Sequence, residues 1–229
     1  MYLNSSKIIS VTIYWYRLLV LSVLVRPYVT NQYRLENLGH KGANWWVPTH
    51  VVSSNWIVYS AGVGEDISFD KALIKKYNCQ VFAFDPTPKA IAYVKVHPVK
   101  QFKLIPIGLW KTDTILKFFE PAEPSHVSHS ILNLQHTDAY FKAACFSVKS
   151  VMKRLGHSRL NFIKLDIEGA EFAVINQMLL DNIQPTLIAM EFDQPCSVSA
   201  MVNCIHNLLS YNYQLIKQDH FNFVFIKQA

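Results

Sequence analysis

Cysteine is scarce: Cys79, Cys145, Cys196 and Cys204 are the only four, and no two form a C-x-x-C pair. That excludes a disulfide scaffold, and the spacings do not suit structural zinc. Reduced, mostly buried thiols are expected, which favours a cytoplasmic chain. Glycine and proline are sparse as well, seven and ten in 229 residues, which excludes collagen-like and low-complexity classes. Charged residues make up only 17% against 51% hydrophobic, so burial can repay chain ordering and a wholly disordered chain is excluded. A chain of this length buries roughly 70–75% of its unfolded surface, and one domain with a full core is expected. Basic charge is mild and scattered, 22 Lys+Arg against 16 Asp+Glu. With no run of five basic residues and no zinc-finger or ribonucleoprotein signature, no nucleic-acid partner is expected.

What is present begins with an apolar stretch, Ile8 to Val25, about 18 residues and long enough to test as a membrane span. Arg17 near its middle would cost about 2.5–3.5 kcal/mol there. No small-x-small cleavage site precedes Arg26-Pro27. Three readings stay open: a helix packed on the domain, a peripheral membrane contact through residues 8-25, or a cleaved signal. Residues 1-30 are therefore set apart as an N-terminal apolar helical segment from a domain spanning 31-229. Residues 31–56 read as irregular. The Trp45-Trp46 pair there is either a cap over a cofactor or plain cover for the core, and core cover is the simpler reading.

From Trp56 onward strands and helices alternate. Trp56–Ser60, Val81–Phe84, Phe102–Ile107, Phe162–Leu165 and Leu187–Phe192 read as buried strands. Helices are expected after Ser68, over Lys89–Val96 behind a Thr87-Pro88 cap, over Phe146–Leu155 ending at Gly156, through Val174 to Leu179, and from Val198 to Leu209. Ile115–Phe119 adds a hairpin excursion. Alternation of this kind implies an α/β fold, a doubly wound, mostly parallel sheet. The last two strands, Tyr213–Lys217 and Phe221–Ile226, are separated only by Gln218–His220, and so short a turn permits only an antiparallel pair.

The turn after the first of these strands is S-A-G-V-G-E-D-I. Gly62 and Gly64 let backbone approach a ligand at the carboxyl ends of the strands. A dinucleotide fingerprint would want a small residue where Ile67 stands. Asp85, at the tip of the second strand, suits a carboxylate accepting from two ribose hydroxyls, and its charge would repel a 2′-phosphate. Farther on, F-I-K-L-D-I-E-G-A-E clusters Asp166, Glu168 and Glu171 where a buried strand turns into a helix. Favourable interaction with the helix dipole explains Glu168 and Glu171 but explains Asp166 poorly. Glu191 and Asp193 repeat the pattern on the next strand. Such acids can hold a divalent cation or act as a general base.

V-Y-S-A-G-V-G-E-D-I-S-F-D, F-A-F-D-P-T-P and K-L-D-I-E-G-A-E, in this order, resemble the FkbM-type methyltransferases over roughly residues 34–227. The resemblance implies a seven-stranded class I methyltransferase (Rossmann-like) sheet with a C-terminal antiparallel hairpin. It implies S-adenosyl-L-methionine as cofactor and O-methylation of a hydroxyl on a glycan or secondary metabolite. Gly62 and Gly64 would lie against the methionine and ribose, Asp85 would take the ribose hydroxyls, and Asp166 and Glu168 would lie beside the methyl-transfer centre. The general acid-x-G-x-G-x-G pattern is incomplete, because Ser60 replaces its acid and Asp66 its last glycine. Asp66 is the residue proposed to restore the missing carboxylate.

Methyl transfer to an alcohol needs alignment and removal of a proton. His126 and His129, in S-H-V-S-H-S, are candidates for the base; Mg²⁺ held by Asp166, Glu168 and Glu191 is the alternative. Trp110 is a candidate to pack on adenine. Two rivals remain open: an NAD-dependent oxidoreductase, and a non-catalytic binding module on a methyltransferase fold.

Overall fold

The computed structural model describes residues 5–121, 129–133, 136–192 and 196–228. His126 and Asp193 lie outside the described residues. Its centre is a seven-stranded sheet built from β3 (Ile57–Ala61), β4 (Gln80–Phe84), β5 (Phe102–Ile105), β9 (Phe162–Leu165), β10 (Leu187–Glu191), β11 (Tyr213–Asp219) and β12 (Asn222–Lys227). The spatial order is β11-β12-β10-β9-β3-β4-β5. β3, β4, β5, β9 and β10 run parallel, whereas β12 is antiparallel to both β10 and β11. The doubly wound sheet and terminal hairpin expected from the alternation are both present.

The chain winds outward from β3 through β4 to β5, then returns to lay β9 on the other side of β3. Connections therefore leave β3 and β9 in opposite directions, and a crevice opens beyond their carboxyl ends. This is the switch point at which doubly wound sheets bind ligands.

Strand residues alternate between two apolar layers, as the pleat requires. Tyr59, Ala61, Ile163, Leu165, Ile188 and Met190 face one layer. Val58, Phe162, Leu187 and Ala189 face the other, against Trp45 and Phe69. Position 164 falls on this second face, so Lys164 is carried into a layer that is otherwise apolar. It is only 6% exposed.

Helices α2 (Ser68–Tyr77), α3 (Pro88–Val96), α4 (Val148–Leu155), α5 (Glu171–Leu180) and α6 (Val198–Ser210) flank the sheet. Thr87 caps α3, and Ser147 caps α4, which ends at Gly156 in the left-handed conformation. The expected start of α4 at Phe146 is corrected, because Phe146 closes the preceding strand. Ser68 is the first residue of α2 rather than its cap; the Asp66 carboxylate accepts its N–H at 2.6 Å.

Two regions hold more strand than expected. Residues 31–56 are not irregular: β1 (Leu35–Leu38) and β2 (Trp45–Pro48) form an antiparallel ribbon. The excursion after β5 is a three-stranded sheet of β6 (Gly108–Leu109), β7 (Thr114–Phe119) and β8 (Tyr140–Phe146), in the order β6-β8-β7.

α1 (Ser5–Val25) packs on the domain. Leu21 and Val25 are buried in the larger apolar cluster, Tyr14 meets Phe221 edge to face, and Gln218 donates to the Ser22 hydroxyl at 3.0 Å. Residues 14–25 are thus continuous with the core of the rest of the domain. The outer face of α1 exposes Val11, Ile13, Trp15, Tyr16, Leu19 and Val23. Among the described residues no helix is long and apolar enough to cross a membrane. The four cysteines are free thiols, and burial pushes Cys79 and Cys145 to about 11 and Cys204 to about 12.

Candidate active site

At the switch point lies a cavity of about 590 Å³. Gly62 and Gly64, both at positive φ, form its floor with Val63. A Cβ on Gly62 would fall 1.7 Å from the Asp166 carbonyl oxygen, so the β3 and β9 turns touch backbone to backbone and only glycine fits. The Lys164 ammonium donates to the Gly62 carbonyl at 2.6 Å and fixes this loop from below.

Asp85 is placed as expected, at the tip of β4 beside the glycine loop. One carboxylate oxygen accepts the Val63 and Gly64 N–H groups at 2.8 and 3.0 Å. The other accepts the Thr87 N–H at 2.9 Å and the Thr87 hydroxyl at 2.6 Å. A carboxylate offers about four lone-pair sites, and all four are used. In this arrangement the residue clamps the glycine loop to the start of α3.

On the β9 side, Asp166 pairs with Lys164 at 3.0 Å. Glu191, at the end of β10, is pushed up to about 8 by burial, then by the nearby Asp166 charge and a hydrogen bond with Asp166. Burial and the neighbouring Asp166 carboxyl thus favour the protonated form of Glu191. Glu168 and His129 also line the cavity, with Ser130 donating to the Glu168 carbonyl at 2.7 Å. Glu171 does not line it. Fully buried, it accepts the Ile167 and Gly169 N–H groups and so holds the turn between β9 and α5.

The structure thus gathers Gly62, Gly64, Asp66, Asp85, Asp166, Glu168, Glu191 and His129 around one space. Trp110 does not line it, and Ser60 lies beneath it, 1% exposed within β3. Asp66 reaches the rim, where the Ser68 N–H and His40 engage it. Burial would raise its pKa, but the Ser68 hydrogen bonds and the His40 charge outweigh that and hold it below the ordinary carboxylate range. Mg²⁺ finds no site here: among the described residues no three His, Cys, Asp or Glu side chains are grouped to hold a metal. The cation beside Asp166 is the Lys164 ammonium.

Sequence reasoning missed Lys164 and Asp70 as cavity residues, and Trp45, left open between cofactor cap and core cover, does line the cavity. The signals were there. Lys164 is the one charge inside F-I-K-L, and Asp70 precedes Leu73 and Ile74 by three and four positions, which puts it on the buried stripe of α2.

The sequence pattern of the methyltransferase FkbM domain matches residues 54–215. This chain belongs to the FkbM methyltransferase family. The sheet order and terminal hairpin of this FkbM protein are those of the class I methyltransferase fold. No curated protein matches the chain in sequence. Among solved structures it is similar to an rRNA methylase from Streptococcus thermophilus, at 12% identity over 79% of this chain and 92% of that one, with a TM-score of 0.45. A fibrillarin pre-rRNA processing protein from Methanococcus jannaschii shares 8% identity over 86% and 84%, with a TM-score of 0.45. A precorrin-6y C5,15-methyltransferase from Geobacter metallireducens shares 10% over 79% and 84%, with a TM-score of 0.42. Likenesses at this level carry nothing about the acceptor.

Proposed function

We propose that this FkbM protein is an S-adenosylmethionine-dependent O-methyltransferase acting on a hydroxyl of a glycan or secondary metabolite. The observation that carries the reading is the switch-point cavity, with a glycine floor on one side and the hydrogen-bonded Asp166–Glu191 carboxyl pair on the other. Its volume suits a nucleoside with an amino-acid tail, and the Gly62–Asp166 contact lets a ligand lie against bare backbone.

When bound, the cofactor supplies a sulfonium methyl as the electrophile. The chain must then align an acceptor oxygen and take its proton. Asp166, paired with the Lys164 ammonium at 3.0 Å and facing Glu191, is the proton acceptor. Glu168 and His129 border the space left for the acceptor, His129 standing edge to face with Phe141 on β8. The excursion sheet and the segment around β1 and β2 enclose the entrance, and the choice of acceptor resides there.

Calorimetric titration with S-adenosylhomocysteine, with NAD as a parallel ligand, tests the cofactor. Binding of the adenosyl ligand alone is expected, and binding of NAD instead would overturn the reading. Adenosyl binding without turnover across a panel of hydroxylated acceptors would leave a non-catalytic binding module. With an acceptor in hand, Asp166→Asn should lower kcat by roughly 10²-fold or more and His129→Ala by less than about tenfold. The reverse order would move the base to His129.

A further inference from the structure

Asp70 is only partly satisfied by the protein: a side-chain hydrogen bond with Ser60 and a backbone hydrogen bond stabilise its carboxylate, and one oxygen is left over. It sits in the first turn of α2, 4% exposed, lines the cavity, and one of its carboxylate oxygens has no hydrogen-bond partner. A buried acid with an open lone pair costs stability and persists where a ligand completes it. Its surroundings are specific. Ser60 and Lys164 stand side by side in the β3–β9 register, both on the face covered by α2. Ser60 is small, and the carboxylate of Asp70 comes from the neighbouring helix into the region a longer side chain at position 60 would take. The Lys164 charge favours ionised Asp70, but the ammonium itself is committed to the Gly62 carbonyl and Asp166. Burial raises Asp70 to about 6, against the opposing Lys164 charge, which leaves it mostly ionised at neutral pH. Asp66, the other acid in this loop, is already occupied by Ser68 and His40 at the rim.

We propose that Asp70 binds the α-ammonium group of the cofactor's amino-acid tail, supplying from α2 the carboxylate that Ser60 cannot. The inference rests on the S-adenosylmethionine reading. It makes the cavity polar-selective at one end: the site recognises a primary ammonium beside the glycine floor, while the adenosine lies toward Asp85 and Thr87.

The test compares three ligands by calorimetry: S-adenosylhomocysteine, its deaminated analogue that keeps the carboxylate, and methylthioadenosine, which lacks the whole tail. The wild-type protein should bind the deaminated analogue at least about tenfold more weakly than S-adenosylhomocysteine. Asp70→Asn should erase that difference and leave methylthioadenosine binding unchanged. Equal affinity of the wild-type protein for the first two ligands would overturn the proposal, whatever the variant does. So would an Asp70→Asn protein that folds and keeps the preference, which would place the ammonium elsewhere. Failure of the wild-type protein to bind any adenosyl ligand would instead overturn the methyltransferase reading, and the two failures are therefore distinct.

Discussion

Two buried aspartates border the same cavity and stand in opposite conditions. Asp85 receives four hydrogen bonds from Val63, Gly64 and Thr87. Asp70, equally buried, keeps an oxygen without any. Both are acids at strand–helix corners, and composition or position alone does not separate them. The count of donors does: a saturated carboxylate holds the protein's own backbone, and an unsaturated one is kept for something that arrives. Asp166 and Glu191 are an intermediate case, satisfied by Lys164 and by each other while still facing the space.

The strongest way to break the contrast is at the floor both aspartates border. Gly62→Ala drives a Cβ into the Asp166 carbonyl, backbone against backbone. It is expected to cost on the order of 4 kcal/mol or to abolish folding, as read by urea denaturation. A variant of unchanged stability would show that the two turns can part.

Next comes Asp85→Ala, which leaves the Val63, Gly64 and Thr87 donors without an acceptor. A loss of roughly 2–4 kcal/mol is expected in the ligand-free protein, whereas Asp70→Asn should be neutral or stabilising because it removes an incompletely paired buried charge. If the two variants lose stability equally, the distinction drawn here fails.

Glu191→Gln sharpens the comparison through pH. The folded-state value of about 8 lies above the ordinary glutamate value of 4.5, so the native state binds the proton more tightly than the unfolded chain. Stability contributed this way is full below about pH 4.5 and is lost as pH rises through about 8. The Gln variant should therefore match the wild type in acid and melt several degrees higher near pH 9. Melting curves across that range decide it, and a parallel pair of pH profiles would show that the Glu191 carboxyl is not raised.

The smallest effect is expected away from the cavity. The Trp46 indole donates to Asp219 at 2.7 Å and ties the β1–β2 ribbon to the terminal hairpin. Trp46→Phe should cost about 1 kcal/mol in denaturant titration without altering adenosyl-ligand affinity. A change in affinity would join this ribbon to the site energetically.

How much of this was readable in the residues follows from range. The succession of strands and helices, the Thr87 cap and the terminal hairpin depend on neighbours within a few positions, and alternation exposed them. Gly62 was legible as a glycine of close approach, but its partner, the Asp166 carbonyl, is about a hundred positions away and could not be named. Asp85 was legible as an acid at the tip of β4, but the N–H groups of Val63, Gly64 and Thr87 that it accepts from carry no sequence signature. Lys164 and Asp70 were overlooked, since a charge on a buried stripe looks like an exception until both faces of the strand are known. The β1–β2 ribbon was hidden by Gly39, Gly42 and Pro48, which resemble loop residues and in fact bound two short strands.

One feature at the far side of the sheet bears on how the protein behaves in bulk. β11 is an edge strand, and such an edge invites pairing with any free strand. Here the stretch following α1 lies along it: Val29 bridges Leu215, and the Thr30 N–H donates to the Leu215 carbonyl at 2.9 Å. The N-terminal segment thus covers part of that edge, and a protein shortened to begin at residue 31 is expected to bare it together with the apolar bed of α1 and to aggregate more readily as concentration rises.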